Sequence, residues 1–166
     1  LRGTTLGCCQ RYDSFPTTMY KADTARIIYL LHFGGLYTDM NNECLYPFEH
    51  LLKNYSIVFA DIDHVPRLGV IKENYVQNSF MYSRPNHPFW VEMLLEIFHD
   101  PKTRRADIVT GPELLSTMIN RWRTRYPKTH NIKIHEARYF NPMTWDQLDK
   151  NPKYCKRHNG MTAKRV

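Results

Sequence analysis

The chain has 166 residues, of which 42% are hydrophobic and 23% charged, and these proportions are typical of one globular domain. A net charge of +7 suits a phosphate-bearing ligand, nucleic acid or an anionic membrane surface, and a solvated basic face explains it equally well. The apolar run over residues 27–31 is too short to span a bilayer, and four scattered cysteines without a C-x-x-C pair argue against a disulfide scaffold or a structural zinc site.

The first predicted element is a helix over residues 18–33. Pro16 restricts the residue before it, and Thr17 or Thr18 is suited to cap the helix. Asp23 and Arg26 are three residues apart and therefore project from one face; alone, such a pair predicts an ordinary surface ion pair. Near-helical spacing predicts that five apolar residues of this helix pack against the core: Met19, Ala22, Tyr29, Leu30 and Phe33.

A short strand follows the helix. Gly34 and Gly35 supply the positive φ that ends a helix without a Cβ clash. Residues 36–38 then run extended and bring Asp39 and Asn41 to the carboxyl end of the strand. Ligands bind at that end in open α/β sheets, so we expect a binding site there.

The rest of the chain alternates between strands and helices. Strands are predicted over residues 56–61, 74–83 and 132–135, and helices over residues 88–98 and from Pro112 onward. The last of these strands has the alternation of an exposed strand. His87, directly before Pro88, is predicted to cap a helix or bond within a loop. Asp61 and Asp63 follow a buried strand and are either loop residues or part of an acceptor site.

The stretch from Lys21 to Asn41 resembles the signature of the DXD-type retaining sugar transferases, glycosyltransferase family thirty-two, and in particular the fungal inositol-phosphorylceramide mannosyltransferases. Typical members read R-A-D-x-x-R, a hydrophobic helix and G-G-[IVL]-Y-x-D-x-D. This chain reads K-A-D-T-A-R and G-G-L-Y-T-D-M-N. Further similar segments are Y-D-S-F-P from residue 12, N-S-F-M from residue 78 and T-G-P from residue 110. The resemblance covers roughly residues 12 to 143.

This resemblance implies a GT-A-like nucleotide-sugar-binding fold of the α/β class, with a mixed central sheet flanked by helices and without its first strand. We expect a partial catalytic domain over residues 1–149 and a basic C-terminal tail over residues 150–166. Any membrane association would come from an anchor outside the chain. For a eukaryotic protein, the expected location is the Golgi or the secretory lumen.

The resemblance also assigns catalytic roles. Asp23 and Arg26 would hold the donor sugar, and Asn78 would lie near its anomeric carbon. A strand-end asparagine bonded to local backbone is an equally good interpretation of Asn78. No dedicated nucleophile is evident, so we expect attack on the same face of the sugar as the departing phosphate, with retention of configuration.

Four residues are implied to bind the nucleotide part of the donor: Gly35, Tyr37, Asp39 and Asn41. Asp39, Asn41 and Glu43 would hold Mn²⁺ or Mg²⁺, which neutralises the charge that grows on the leaving diphosphate. The family has an acid where this chain has Asn41. An amide oxygen can bind a hard cation but brings no charge, so metal affinity should fall. Glu43 restores a carboxylate if the chain stays extended; otherwise the site is weakened or dead.

The function predicted from the sequence is transfer of a hexose, mannose first, from a nucleotide sugar (GDP-mannose or a UDP-hexose) to a glycan or glycolipid acceptor. The alternative is a non-catalytic protein that binds sugar nucleotides or glycans, favoured by Asn41. A third possibility is nucleic-acid binding through the basic tail. No aromatic-and-basic module of the usual kinds accompanies that tail, so specific nucleic-acid recognition is not expected.

Overall fold

The computed structural model describes residues 10–40, 42–44, 47–62, 75–99, 105–128, 131–140 and 161–162. The helices with both ends described are α1 (Thr18–Phe33), α2 (Glu49–Leu52), α3 (Pro88–His99), α4 (Ala106–Val109), α5 (Pro112–Arg125) and α6 (Ala137–Phe140). The strands are β1 (Gly35–Thr38), β2 (Asn42–Glu43), β3 (Ile57–Asp61), β4 (Val76–Ser83), β5 (Ile132–His135) and β6 (Met161–Thr162).

A four-stranded mixed sheet lies at the centre, in the order β1-β4-β3-β5. β4 runs antiparallel to both β1 and β3, whereas β5 runs parallel to β3. The predicted α/β class with a mixed sheet flanked by helices is therefore confirmed, and the arrangement is compatible with a GT-A-like fold. β6 lies in the stretch predicted as a basic tail and pairs in parallel with β2, with Asn42 opposite Met161.

The core lies where α1, α3 and α5 cover the two central strands. Every residue from Ile57 to Ala60 is fully buried. Phe59 meets the rings of Phe89 and Trp90 edge-on, and the Trp90 indole N–H donates to Ser83 Oγ at 2.7 Å. This tight packing holds β4 against α3. It fixes the strand that carries Asn78.

Helix α1 has the predicted bounds, but the prediction of its buried face is wrong. Of the five apolar residues expected to pack, only Leu30 is buried; Met19, Tyr29 and Phe33 are each more than half exposed. The buried face instead carries Tyr20, Asp23, Thr24, Arg26, Ile27 and Leu30. The helix therefore turns its ion pair inward and exposes an apolar stripe.

Part of that apolar stripe borders a groove of about 520 Å³ between α1 and α3. Its lining residues are Tyr12, Asp13, Ala25, Ile28, Tyr29, Leu94 and Phe98. None of the residues predicted to bind the donor lines this groove, so it is separate from the predicted site.

Gly34 ends α1 with φ 65° and ψ −152°, a conformation that only glycine adopts readily. A Cβ at this position would lie 2.5 Å from Pro85 N and 2.9 Å from the carbonyl oxygen of Ser83. Glycine is therefore required here twice, for its backbone conformation and for close approach to the end of β4. The contact fixes the angle at which α1 passes into β1.

Two further predictions concern α3 and β5. His87 Nδ1 accepts a hydrogen bond from the Phe89 backbone N–H at 3.2 Å, so the predicted capping role is confirmed. Burial lowers the pKa of His87, which keeps the ring neutral and able to accept.

The prediction of an exposed strand over residues 132–135 is wrong, because Ile132 and His135 are buried where β5 packs beside β3.

Candidate active site

The predicted site begins with Asp23, which is only 3% exposed. Its Oδ1 accepts from Asn78 Nδ2 at 2.9 Å and lies 3.1 Å from Arg26 Nη2. Its Oδ2 accepts from Thr110 Oγ1 at 3.0 Å. These donors come from α1, β4 and the turn between α4 and α5, so the carboxylate joins three parts of the fold. The interpretation of Asp23 and Arg26 as a surface ion pair is excluded by this burial.

Arg26 lies between two carboxylates. Its Nη1 donates to the Asn78 carbonyl oxygen at 2.7 Å and lies 3.4 Å from Asp39 Oδ1. The guanidinium also stacks on the Tyr37 ring, 4.7 Å from the ring centroid. Arg26 Nε is buried and has no hydrogen-bond partner among the described residues. The Nε–H is thus an unused donor inside the cluster.

Asp39 lies at the end of β1, as predicted, and its side chain is 35% exposed. The Tyr37 hydroxyl donates to Asp39 Oδ1 at 2.8 Å. Burial and this hydrogen bond raise the pKa of Tyr37 to about 12, so the phenol remains a donor at neutral pH. Within the described residues, Asp39 Oδ2 makes no hydrogen bond. This oxygen is available for a ligand.

Asn78 connects the site to the middle of the sheet. Its side-chain amide donates to Asp23, 55 residues away, while its backbone carbonyl accepts from Arg26. The interpretation of Asn78 as a strand-end residue bonded only to local backbone is therefore wrong. Asn78 is half-buried, and its side-chain oxygen Oδ1 is not used in either of these two hydrogen bonds.

The position of Asp39 is fixed from the backbone. Its N–H donates to the Ser79 carbonyl oxygen at 3.0 Å, and its own carbonyl accepts from Asn42 N–H at 3.0 Å. Asn42 Nδ2 also donates to the Ser79 carbonyl at 3.1 Å. Asn42, which holds the motif against β4, was not predicted as a site residue. Its place directly after Asn41 was the available signal.

Thr110 is the second residue that the sequence did not assign to the site. It is 1% exposed and contacts the carboxylate of a residue 87 positions earlier. The resemblance of the T-G-P segment at residues 110–112 implies a loop near the floor of the active site, but it does not predict a contact between Thr110 and Asp23. Contacts at this sequence separation leave no periodic signal, which is why the hydrogen bond was not predicted.

Opposing influences act on the pKa of the Asp23 carboxyl group. Burial raises the pKa of the Asp23 carboxyl, and the nearby Asp39 charge acts in the same direction. The Arg26 guanidinium and the hydrogen bonds from Thr110 and Asn78 oppose this rise. The ionised form of Asp23 therefore depends on these three partners.

The predicted metal ligands are only partly described. Asp39 offers a free carboxylate oxygen; Asn41 lies outside the described residues, and only the backbone of Glu43 is described. In the part of the chain that the structure describes, no group of three His, Cys, Asp or Glu side chains is placed to hold a metal ion. The carboxylate oxygens of Asp39 are suitable ligands for Mn²⁺ or Mg²⁺, but one carboxylate alone does not make a metal site.

The other predicted positions fall elsewhere. Gly35 lies at the opposite end of β1 from Asp39, in register with Ser83. Asp61 is the last residue of β3, so the prediction that it is a loop residue is wrong; its Oδ1 accepts from the neighbouring Ile62 N–H. Asp63 and, apart from β6, the basic C-terminal stretch lie outside the described residues. No described helix is long and apolar enough to cross a membrane.

Residues 7–58 match the family described as "Glycosyltransferase sugar-binding region containing DXD motif". The chain is similar to the "Mannosyl phosphorylinositol ceramide synthase SUR1" of Saccharomyces cerevisiae (27% identity, covering 78% of this chain and 33% of the relative). It is also similar to the "Inositol phosphoceramide mannosyltransferase 1" of Schizosaccharomyces pombe (25% identity, covering 70% and 28%).

The matched part spans about a third of the length of these curated relatives. The family match includes Asp23, Arg26, Tyr37 and Asp39, which are the residues that the structure brings together. The resemblance predicted from the sequence is therefore confirmed: residues 7–58 of this chain are similar to the DXD-containing sugar-binding region of glycosyltransferases.

Proposed function

We propose that this chain binds a nucleotide sugar and transfers its hexose to a glycolipid acceptor, with GDP-mannose as the first candidate donor. The observation that carries this proposal is the bridge that Arg26 makes between the carboxylates of Asp23 and Asp39. A sugar diphosphate presents hydroxyl groups and negative charge together, and a cluster of one guanidinium, two carboxylates and an amide matches both. The names of these relatives favour mannose and an inositol-phosphoceramide acceptor.

Each residue has a separate task in this proposal. Asp39, with its free Oδ2, faces the diphosphate and any cation bound to it. Arg26 supplies positive charge to the donor. Asp23 accepts three hydrogen bonds and retains at most one acceptor position on Oδ2, so its main role is to fix Arg26 and Asn78.

Transfer breaks the bond between the anomeric carbon and the diphosphate, and negative charge collects on the leaving oxygen. A bound Mn²⁺ or Mg²⁺ would neutralise part of that charge. Arg26 would stabilise it from the protein side. We propose retention by attack of the acceptor hydroxyl on the face from which the diphosphate leaves, with Asn78 Oδ1 beside the anomeric carbon.

Isothermal calorimetry with GDP-mannose and UDP-glucose, with and without Mn²⁺, tests donor binding. We expect GDP-mannose to bind, and Mn²⁺ to strengthen binding by about tenfold or more, because the cation offsets the charge of the diphosphate near Asp39. Proton NMR of the same samples would show slow release of mannose, initially as the α-anomer if configuration is retained. Absence of binding for both nucleotides, with and without metal, would contradict the proposal.

A second candidate function is sugar-nucleotide binding without transfer, which the neutral Asn41 in the DXD motif favours. The same experiment separates the two functions. A binding protein takes up GDP-mannose and is stabilised by it against heat, but releases no mannose over hours in the presence of an inositol-phosphoceramide acceptor.

A further inference from the structure

The turn between α4 and α5 is tightly fixed. The backbone N–H groups of Thr110 and Gly111 both donate to the Ala106 carbonyl oxygen, at 2.8 and 2.9 Å. A Cβ on Gly111 would lie 2.7 Å from Asp107 Cα, so the backbone approaches α4 too closely for another residue. The backbone of Thr110 is therefore held firmly against the end of α4.

The Thr110 hydroxyl lies 3.0 Å from two acceptors, Asp23 Oδ2 and the Ala106 carbonyl oxygen. A hydroxyl group has one proton to donate. The Ala106 carbonyl already accepts two backbone hydrogen bonds, whereas Asp23 is a buried carboxylate that needs donors. The proton is therefore of more use to Asp23, where the bond is charge-assisted.

We propose that Thr110 is a positioning residue of the donor site: its hydroxyl holds Asp23 by Oδ2, so that Oδ1 stays directed at Arg26 and Asn78. The inference rests on the proposed function for its effect on turnover, while the hydrogen bond itself can be tested separately. Thr110 acts through Asp23 and does not itself contact the donor.

If Thr110 had a purely structural role, removing its hydroxyl group would leave the pKa of Asp23 unchanged. Valine has nearly the same shape, so Thr110→Val keeps the packing and removes only the donor. The charged groups that act on Asp23 are Arg26 and Asp39, and Tyr37 is the nearby titratable group; all three are unchanged in the variant. Loss of the Thr110 hydrogen bond should then raise the pKa of Asp23, since that bond favours the ionised form.

The test compares T110V, T110S and T117V. Thr117 is the matched control, because its hydroxyl donates to the Glu113 carbonyl four residues earlier at 2.9 Å but is exposed. The ¹³C resonance of the Asp23 carboxyl, assigned with D23N, is followed against pH. We expect it to titrate at higher pH in T110V than in the wild type, with T110S and T117V close to the wild type.

Turnover supplies the functional readout. With GDP-mannose, kcat/KM should fall about tenfold in T110V, the cost of one hydrogen bond to a charged group. Asp23 must be ionised to pair with Arg26, so the acidic limb of the kcat/KM pH profile should shift to higher pH in T110V. In T110S this limb should return to its wild-type position. Identical Asp23 titrations in T110V and T117V would overturn the inference. If wild-type protein shows no turnover, the proposed function fails, and the carboxyl titration still decides the role of Thr110.

Discussion

Replacement of Arg26 by methionine is expected to lower the free energy of unfolding by about 3–5 kcal/mol, because it leaves the buried Asp23 carboxylate without its cation. Asp39 also loses the guanidinium 3.4 Å away, which leaves the Tyr37 hydroxyl as its one side-chain partner among the described residues. A loss of this size is a large fraction of the stability of an ordinary domain. Urea unfolding followed by tryptophan fluorescence measures it.

The matched control is R121M, which makes the same side-chain change in an exposed ion pair. Arg121 Nη1 lies 3.2 Å from Glu96, and both side chains are about half exposed. Such pairs contribute about 0–1 kcal/mol. Equal losses in R26M and R121M would show that the Asp23–Arg26 pair is not buried as described.

A double variant separates lost charge pairing from lost packing. In D23N/R26M no unpaired carboxylate remains at position 23. The asparagine oxygen can still accept from Asn78, and its NH2 group can donate to the Thr110 hydroxyl, which turns its own proton to the Ala106 carbonyl oxygen. We expect this variant to be more stable than R26M alone, despite carrying one more substitution. If the loss of stability in D23N/R26M equalled the sum of the losses in D23N and R26M, the electrostatic explanation would be contradicted.

The second large effect is expected at the DXD motif. Asp39→Asn should reduce Mn²⁺-dependent turnover of GDP-mannose by about 100-fold, since it removes the charge of the more exposed of the two carboxylates in the cluster. Asn41→Asp should act in the opposite direction and strengthen Mn²⁺ binding on the order of tenfold, because an added carboxylate brings charge to a hard-cation site.

Mn²⁺ titrations followed by electron paramagnetic resonance, together with initial rates of GDP-mannose turnover, measure both changes. E96Q serves as the control, because it neutralises an exposed carboxylate paired only with Arg121 among the described residues. If N41D and D39N change metal affinity and rate no more than E96Q does, the motif does not hold the cation.

The sequence predicted the local elements well because their signals are local. The Pro16 start, the Gly34–Gly35 stop and the apolar run over residues 57–60 are each determined within a few neighbours, and their bounds agree closely with the structure. The resemblance placed Asp23, Arg26 and Asp39 in one site, and the structure brings them within hydrogen-bonding reach of one another.

The sequence could not show which face of α1 is buried. Apolar periodicity favoured Met19, Tyr29 and Phe33, yet the polar pair is inside because Asn78 and Thr110 satisfy it from 55 and 87 residues away. Without those partners, burial of Asp23 would cost several kcal/mol. Pairing at such separations depends on the tertiary fold, and no window of the sequence contains it.

The most direct test of the donor site follows the Arg26 Nε–H, which is buried in the cluster and has no hydrogen-bond partner among the described residues. Its ¹⁵N–¹H resonance, assigned by its disappearance in R26K, is followed while GDP-mannose is added in the presence of Mn²⁺. We predict a saturable shift with the same affinity that calorimetry gives. A resonance that stays in place while GDP-mannose binds would show that the donor lies elsewhere, and that Asp23, Arg26 and Asp39 form no donor site.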